Sequence, residues 1–398
     1  MNENMDNFYD VIVVGGSIAG SVAAKFTAQA GLKTLLIEKF PTPRDKACSG
    51  IQWHYLSKII GEKIPRERLC KYQIKNVIIE YPTGQQIKAP TKMLNFMRKP
   101  FDDWLNLLAK KYGATFRDST KLIDFKSTEG GYILELNSSN GKSNGLEVKC
   151  KYLVDASGMQ SDIRRKLRPQ DFDKKYAGKT INYYIKGTAD MDPEALYQFW
   201  NVKWNDVMFA WVYTKTLDDG ETYWVVGTGC NDGSLKERQE SFYHYIQEKY
   251  NLRGEIIKRE GFGSNMNFRE KDSIWLGNKR ILAIGDAAGL IDEVRGVGMD
   301  IAALSGRIAA QAIVRAEKEQ ISRKGRLPED VLSLYQHKMR RLIVQLQKNR
   351  QKPQNAFSSN EDLMHYLKKS FTSMTFNFLL QMALNKIRRP EKLVLLPP

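Results

Sequence analysis

The run Gly15-Gly16-Ser17-Ile18-Ala19-Gly20 puts small side chains where a backbone must turn sharply and bring its N–H groups close to a phosphate. Gly15 suits the turn, and Gly20, just past Ala19, suits close packing of helix on strand. Ser17 stands where the usual fingerprint has its middle glycine, and it is small enough to let backbone approach phosphate. Glu38 follows about 20 residues later, where a carboxylate reaches both hydroxyls of an adenosine ribose, and Lys39 adjoins it. An acid at that place favours FAD or NAD over NADP. Two more clusters follow: Asp155-Ala156-Ser157-Gly158, continuing to Ser161 and Arg164, and Gly285-Asp286-Ala287-Ala288-Gly289, continuing to Gly296-Val297-Gly298. The cysteines Cys48, Cys70, Cys150 and Cys230 and the four histidines are too scattered for metal-ligand spacing, so no metal is expected.

These residues act together only if regular elements hold them. Tyr9 to Val14 is a short β-branched run that predicts a strand, the pattern through Ala30 predicts a helix, and Leu35-Leu36-Ile37 predicts a second strand ending at Glu38. Tyr152 to Val154 and Arg280 to Ile284 predict two further strands, the latter running into a helix. Strand, turn, helix, strand and acid in that order specify a Rossmann-type α/β domain assembled from separated pieces. One complete nucleotide fingerprint and no second NAD(P)H site make FAD the expected resident cofactor.

Between Ile181 and Gly229 the pattern alternates and turns aromatic, which predicts an inserted antiparallel sheet. Period two puts Phe209, Trp211 and Tyr213 on one face, and Tyr223 to Gly229, with Trp224, completes a hairpin across Leu217 to Gly220. The expected organisation is an FAD-binding domain at 1–165 with 272–322, taking in a small substrate-side segment at 50–95. An antiparallel-sheet substrate domain at 166–271 and a C-terminal helical, basic region at 323–398 complete it.

The three nucleotide segments resemble the flavoprotein group typified by aromatic hydroxylases, flavin halogenases and geranylgeranyl reductases. The resemblance implies that Asp286 meets ribityl hydroxyl or pyrophosphate and that Gly296-Val297-Gly298 lies beside the isoalloxazine. Pro43-Arg44-Asp45-Lys46-Ala47-Cys48-Ser49-Gly50 resembles the Pro-Arg-Asp-Lys-x-Cys-Gly stretch of halogenases and geranylgeranyl reductases. Met97-Arg98-Lys99-Pro100-Phe101-Asp102-Asp103-Trp104-Leu105 resembles their Arg-x-x-Phe-Asp-x-Trp-Leu helix start. Arg44 and Arg98 are accordingly candidate cations for the cofactor, or else surface charge on a basic protein. Phe209 to Thr214 followed by Gly227-Thr228-Gly229 is similar to the reductases' Tyr-x-Trp-x-Phe-Pro strand and Gly-x-Gly turn. That likeness implies that Phe209, Trp211, Tyr213 and Trp224 line an apolar slot; an aromatic sheet core without ligand is the other reading. Phe209, Tyr213 and Thr214 depart from that pattern, as does Glu293 where the group usually has proline. Cys48 is implied to lie near the ring as proton donor or gate, with a buried structural thiol as the alternative.

The activity so implied is saturation of isoprenoid C=C bonds in a geranylgeranyl lipid or prenyl precursor, with electrons from a donor such as ferredoxin or reduced nicotinamide. A flavin-dependent monooxygenase or halogenase, and a quinone-linked electron-transfer flavoprotein, are the other classes. The net charge of +17 over 398 residues calls for an anionic partner but does not choose one. Phe371, Met374, Phe376, Phe378, Leu379, Leu380, Met382 and Leu384 precede Lys386, Arg388 and Arg389, the composition of a segment lying on an anionic membrane or of a core-packing terminal helix. Removal of residues 371–398 is expected to spare the flavin. No nucleic acid is expected, and the scattered cysteines fit a reducing cytoplasm, with peripheral attachment to the inner face of the cell membrane.

Overall fold

The structure, a computed structural model, describes residues 7–70, 72–138, 145–172, 178–206, 208–230, 233–264, 273–292, 296, 298–322, 330–351 and 354–396. Its strands are β1 (Phe8–Val14), β2 (Thr34–Ile37), β3 (Ile51–Trp53), β4 (Tyr72–Glu80), β5 (Gln86–Asn95), β6 (Thr115–Arg117), β7 (Thr120–Ser127) and β8 (Tyr132–Ser138). They continue as β9 (Leu146–Asp155), β10 (Gly178–Thr188), β11 (Ala195–Phe199), β12 (Ala210–Thr216), β13 (Thr222–Cys230), β14 (Arg253–Ser264), β15 (Gly277–Asn278) and β16 (Ile281–Ala283). The helices are α1 (Ile18–Gln29), α2 (Leu56–Ile60), α3 (Arg66–Leu69), α4 (Arg98–Lys111), α5 (Asp162–Leu167), α6 (Leu235–Lys249), α7 (Met299–Ser322), α8 (Val331–Gln351) and α9 (Asn360–Asn385).

Buried β-branched strands with helices on their faces make a parallel sheet, as their near-continuous apolar character requires. Its parallel core runs β16-β9-β1-β2-β6; β15 pairs antiparallel with β16, and the β7–β8 hairpin is attached antiparallel through β8 to β9. The register does the positioning: Val14 lies opposite both Ile37 and Asp155, and Ala283 lies opposite Asp155. Three strands therefore end level with β1, and the turns after Val14, Ile37, Asp155 and Ala283 gather at one edge. That is the crevice beyond the carboxyl ends of the strands, where open α/β sheets bind their ligands.

The second sheet runs β14-β10-β13-β12-β11-β4-β5-β3. The segment around 50–95 supplies β3, β4 and β5 to it, and β4 pairs parallel with β11, so the sheet is mixed where pure antiparallel pairing was expected. One face packs on α6 through Phe242 and Ile246; the other carries Ile51, Trp53, Leu196 and Tyr213 toward the first sheet.

The C-terminal region is no loose appendage. Tyr335 and Met339 of α8 are buried in the first core, and the Tyr335 hydroxyl donates to the Ala283 carbonyl at 3.0 Å. Leu393 and Leu395 join the same core, and Leu396 joins the apolar cluster of the second sheet.

Candidate active site

The turn after β1 is built for a dinucleotide. Gly15 adopts φ +113°, and a Cβ there would stand 2.4 Å from the Ala156 carbonyl oxygen, so only glycine fits. Its neighbour's amide, Gly16 N–H, donates to Glu38 Oε2 at 3.0 Å, which fixes the carboxylate beside the turn. Phe40 N–H holds Oε1 at 3.1 Å and Arg44 pairs with Oε2 at 3.2 Å. Ser17 begins α1 without capping it. Its hydroxyl instead donates to Asp102 at 3.0 Å and accepts from Arg98 at 2.8 Å. The first turn of α1 carries no acid, leaving its positive end unopposed for a phosphate.

Arg98 and Asp102 lie one helical turn apart on α4 and form a buried fork, Nε to Oδ1 at 2.9 Å and a terminal nitrogen to Oδ2 at 2.8 Å. Burial opposes the Arg98 charge, but Asp102 and then Cys48 outweigh it and hold the guanidinium above its ordinary range. Asp155 is fully buried and accepts from Ser157 Oγ at 2.5 Å and Ser161 Oγ at 2.5 Å; burial nevertheless raises its pKa.

A cleft of about 1910 Å³, its open mouth included, runs from this turn to the second sheet. At the nucleotide end it is lined by Ser17, Ala19, Arg98, Gly158, Gly285 and Asp286, with Gly296 and Gly298 further along. Lys46, Cys48 and Ser49 form one side, and Phe209, Trp211 and Tyr213 form the far wall. Trp211 lies across its own sheet: its indole N–H donates to Asn182 Oδ1 at 2.8 Å, and a Cβ on Gly227 would stand 2.3 Å from that nitrogen. The Tyr213 hydroxyl is buried with no hydrogen-bond partner among the described residues, and burial raises its pKa well above 10.0, so it stays a neutral donor.

The family model described as FAD dependent oxidoreductase matches residues 10–161. The chain is 29% identical over 354 residues to digeranylgeranylglycerophospholipid reductase 2 of Methanothermobacter thermautotrophicus, with 84% of each chain covered. It is 26% identical over 312 residues to geranylgeranyl diphosphate reductase of Rhodobacter capsulatus, covering 76% of this chain and 74% of that one. This chain is an FAD-dependent oxidoreductase, similar along most of its length to geranylgeranyl reductases. Its fold agrees: a geranylgeranyl bacteriochlorophyll reductase-like protein of Thermoplasma acidophilum superposes with a TM-score of 0.70 at 23% identity, over 88% of this chain and 89% of that one. FAD is its cofactor, and the glycine turn, the open helix end and the fixed Glu38 carboxylate fit that group.

Several expected contacts of this reductase-like flavoprotein fall elsewhere. Trp224 is on the opposite face of β13 from the slot. It lies across from Thr214 in the register, one residue out of phase with Tyr213, and so packs into the cluster that holds Phe242. Asp155 and Ser157 are not in the cleft wall; Asp155 turns inward and locks the turn that presents Gly158. Lys39 is exposed over the Phe40 ring, and Arg44 meets Glu38 rather than the cleft. Gly15, Gly20 and Gly50 serve close backbone approach behind the wall: a Cβ on Gly50 would meet the Phe96 carbonyl at 1.9 Å. Val297 and Glu293 lie outside the described residues.

The structure also brings in residues the motifs did not single out. Lys46 lines the cleft, its ammonium pKa lowered by burial and by Arg98 while Asp286 opposes the fall. Lys215 is buried behind the wall, donating to Asn95 Oδ1 and to the Phe96 carbonyl at 3.0 Å. Asp102 was legible as the i+4 partner of Arg98, and Lys215 as the next member of the 209, 211, 213 alternation.

Proposed function

We propose that this flavoprotein saturates C=C bonds of an isoprenoid chain in a geranylgeranyl lipid or prenyl precursor, working as a peripheral protein on an anionic cytoplasmic membrane surface. The reading is carried by one observation: the cleft that starts at the dinucleotide turn ends on an aromatic wall of Phe209, Trp211 and Tyr213. Met159, Met208 and Met299 add soft, adaptable surface around it. Such a slot suits a long apolar chain and excludes water from the reacting bond. The relatives named for reduction of geranylgeranyl groups supply the substrate class. Bound FAD, once reduced, supplies the hydride equivalent.

The protein's own groups orient the chain and supply the proton. Cys48 lies in the cleft beside Arg98, which interacts with its sulfur. We assign Cys48 Sγ–H as the donor to the alkene carbon opposite the hydride, with Arg98 holding the thiolate that remains until solvent returns the proton. Electrons enter from ferredoxin or reduced nicotinamide, a diffusible donor, because the fold offers one dinucleotide fingerprint.

The test is anaerobic. Holoprotein reduced photochemically and mixed with a geranylgeranyl lipid should regain oxidised-flavin absorbance while the lipid gains two hydrogens per bond by mass spectrometry. Cys48→Ala should slow that step by about 100-fold, the usual range for losing a general acid, with flavin content unchanged. Reoxidation only by oxygen or by quinone, with lipid mass constant, would refute the assignment.

A further inference from the structure

Helix α9 has two unlike faces. At 100° per residue, Phe376, Leu379, Leu380 and Ala383 fall on one side, continued by Ile387 in the following turn, while Phe378 and Asn385 fall on the other. The inner side is engaged: Phe378 packs on Trp53 with ring centroids 5.4 Å apart, and Asn385 bonds Val394 through both backbone groups, at 2.7 and 3.0 Å. Trp53 belongs to the same apolar cluster as Tyr213, so this helix flanks the aromatic wall on the cleft-bearing face of the second sheet. The turn leading into α9 does the same, for Phe357 stacks on Trp200, which packs on Phe209.

The outer side is bare. Phe376 is 69% exposed, Leu379 53% and Ile387 82%, a contiguous apolar stripe of the kind that soluble surfaces avoid unless something covers it. Cations bracket it: residues 363–390 include Lys368, Lys369, Lys386, Arg388 and Arg389 and contain no Asp or Glu. A second copy docked by a twofold axis would bring these cations against one another on a chain already at +17. An anionic bilayer instead takes the apolar stripe into its acyl boundary and neutralises the flanking charge.

We infer that the outer face of α9 is the protein's docking surface for an anionic lipid bilayer. Its inner face secures the aromatic wall, so docking sets the substrate end of the cleft beside the membrane. The identity of the cargo rests on the prenyl-reductase reading; the docking does not.

The FAD-bound protein, floated with vesicles of phosphatidylglycerol and phosphatidylcholine, should rise with them. Leu379→Asp with Leu380→Asp, and separately Lys386→Glu with Arg389→Glu, should each float at least about ten-fold less, with flavin absorbance and elution volume unchanged. Leu380→Trp, which keeps the surface apolar, should show blue-shifted emission on vesicles and so reports even where the aspartates cost the fold. Unchanged flotation of both charge variants would overturn the inference. So would a wild-type dimer that the aspartates dissociate, without vesicle binding. No turnover enters these readouts, so failure to reduce a prenyl chain leaves them standing, and failure to float leaves the chemistry standing.

Discussion

Lys215 shows how much a single buried group reports about its surroundings. It follows Tyr213 on the same face of β12, and burial pushes its ammonium down to about 7 from an ordinary 10.5. Between those values the unfolded chain holds a proton that the folded chain does not, so stability rises with pH through that window. Below about 7 the full cost of burying the charge is present. The stability of wild type relative to Lys215→Met should therefore increase from pH 6.5 to pH 9.5, read as urea midpoints; a constant difference would show that the amine is not titrating there. Glu38 makes a complementary case, because its carboxylate is fixed by Gly16 and Phe40 amides before any ribose arrives. Glu38→Gln should weaken FAD binding about ten-fold or more, the value of a charge-assisted hydrogen bond, by flavin fluorescence titration. The position of Glu38, at the end of β2 and beside the glycine turn, was readable from spacing alone. The direction of the Asp155 side chain was not: strand position says that a residue ends a strand, not whether its side chain turns to the cleft or to Ser161.

At the scale of elements, alternation made β12 legible but left its partner ambiguous. Period two fixes which residues share a face within a strand, and cross-strand register fixes which faces coincide. Trp224 needed the register, with Thr214 opposite it, to be assigned to the α6 side. The same pair yields a sharp test at Gly227. A methyl group there would collide with Asn182 Oδ1 at 2.2 Å and the Trp211 indole nitrogen at 2.3 Å. Gly227→Ala should therefore displace Trp211 and reduce prenyl turnover by about ten-fold or more while FAD content is retained, because misplacing a wall shifts the reacting bond. Full turnover would mean that Trp211 does not set the substrate's position. The C-terminal tail carried two readings for a related reason: a short Leu-rich segment after basic residues reads the same whether it covers a core or a membrane. Leu393, Leu395 and Leu396 are buried, and Glu391 pairs with Arg307 at 3.6 Å. Deleting residues 390–398 should lower the melting temperature by roughly 5 °C or more. An unchanged melt would show that these buried leucines add nothing to the stability of the core.

At the scale of the whole molecule, two kinds of charge are kept apart. The cleft's ionic groups are sheltered: Arg98 and Asp102 are buried and forked to each other, and half-buried Lys46 lines the cleft within electrostatic reach of Arg98 and Asp286. The excess that makes the chain +17 is carried largely by exposed lysines and arginines, several of them at the ends of the α9 stripe. Composition announced the excess but not its location, because net charge is a sum while docking depends on which cations share a face with apolar area. Salt separates the two populations. Mobile ions screen exposed charges over about 8 Å at physiological strength, whereas buried pairs are screened far less. Raising salt from about 0.05 to about 0.5 M should therefore cut partition onto phosphatidylglycerol vesicles by about ten-fold or more, leaving a remainder due to apolar burial. The rate of flavin reoxidation by a prenyl chain already loaded in the cleft, followed by stopped flow, should stay within about two-fold, since no screened contact is made or broken in that step. If salt slows the loaded step as steeply as it strips the vesicles, the exposed cations act on the chemistry itself and the division between docking face and cleft does not hold.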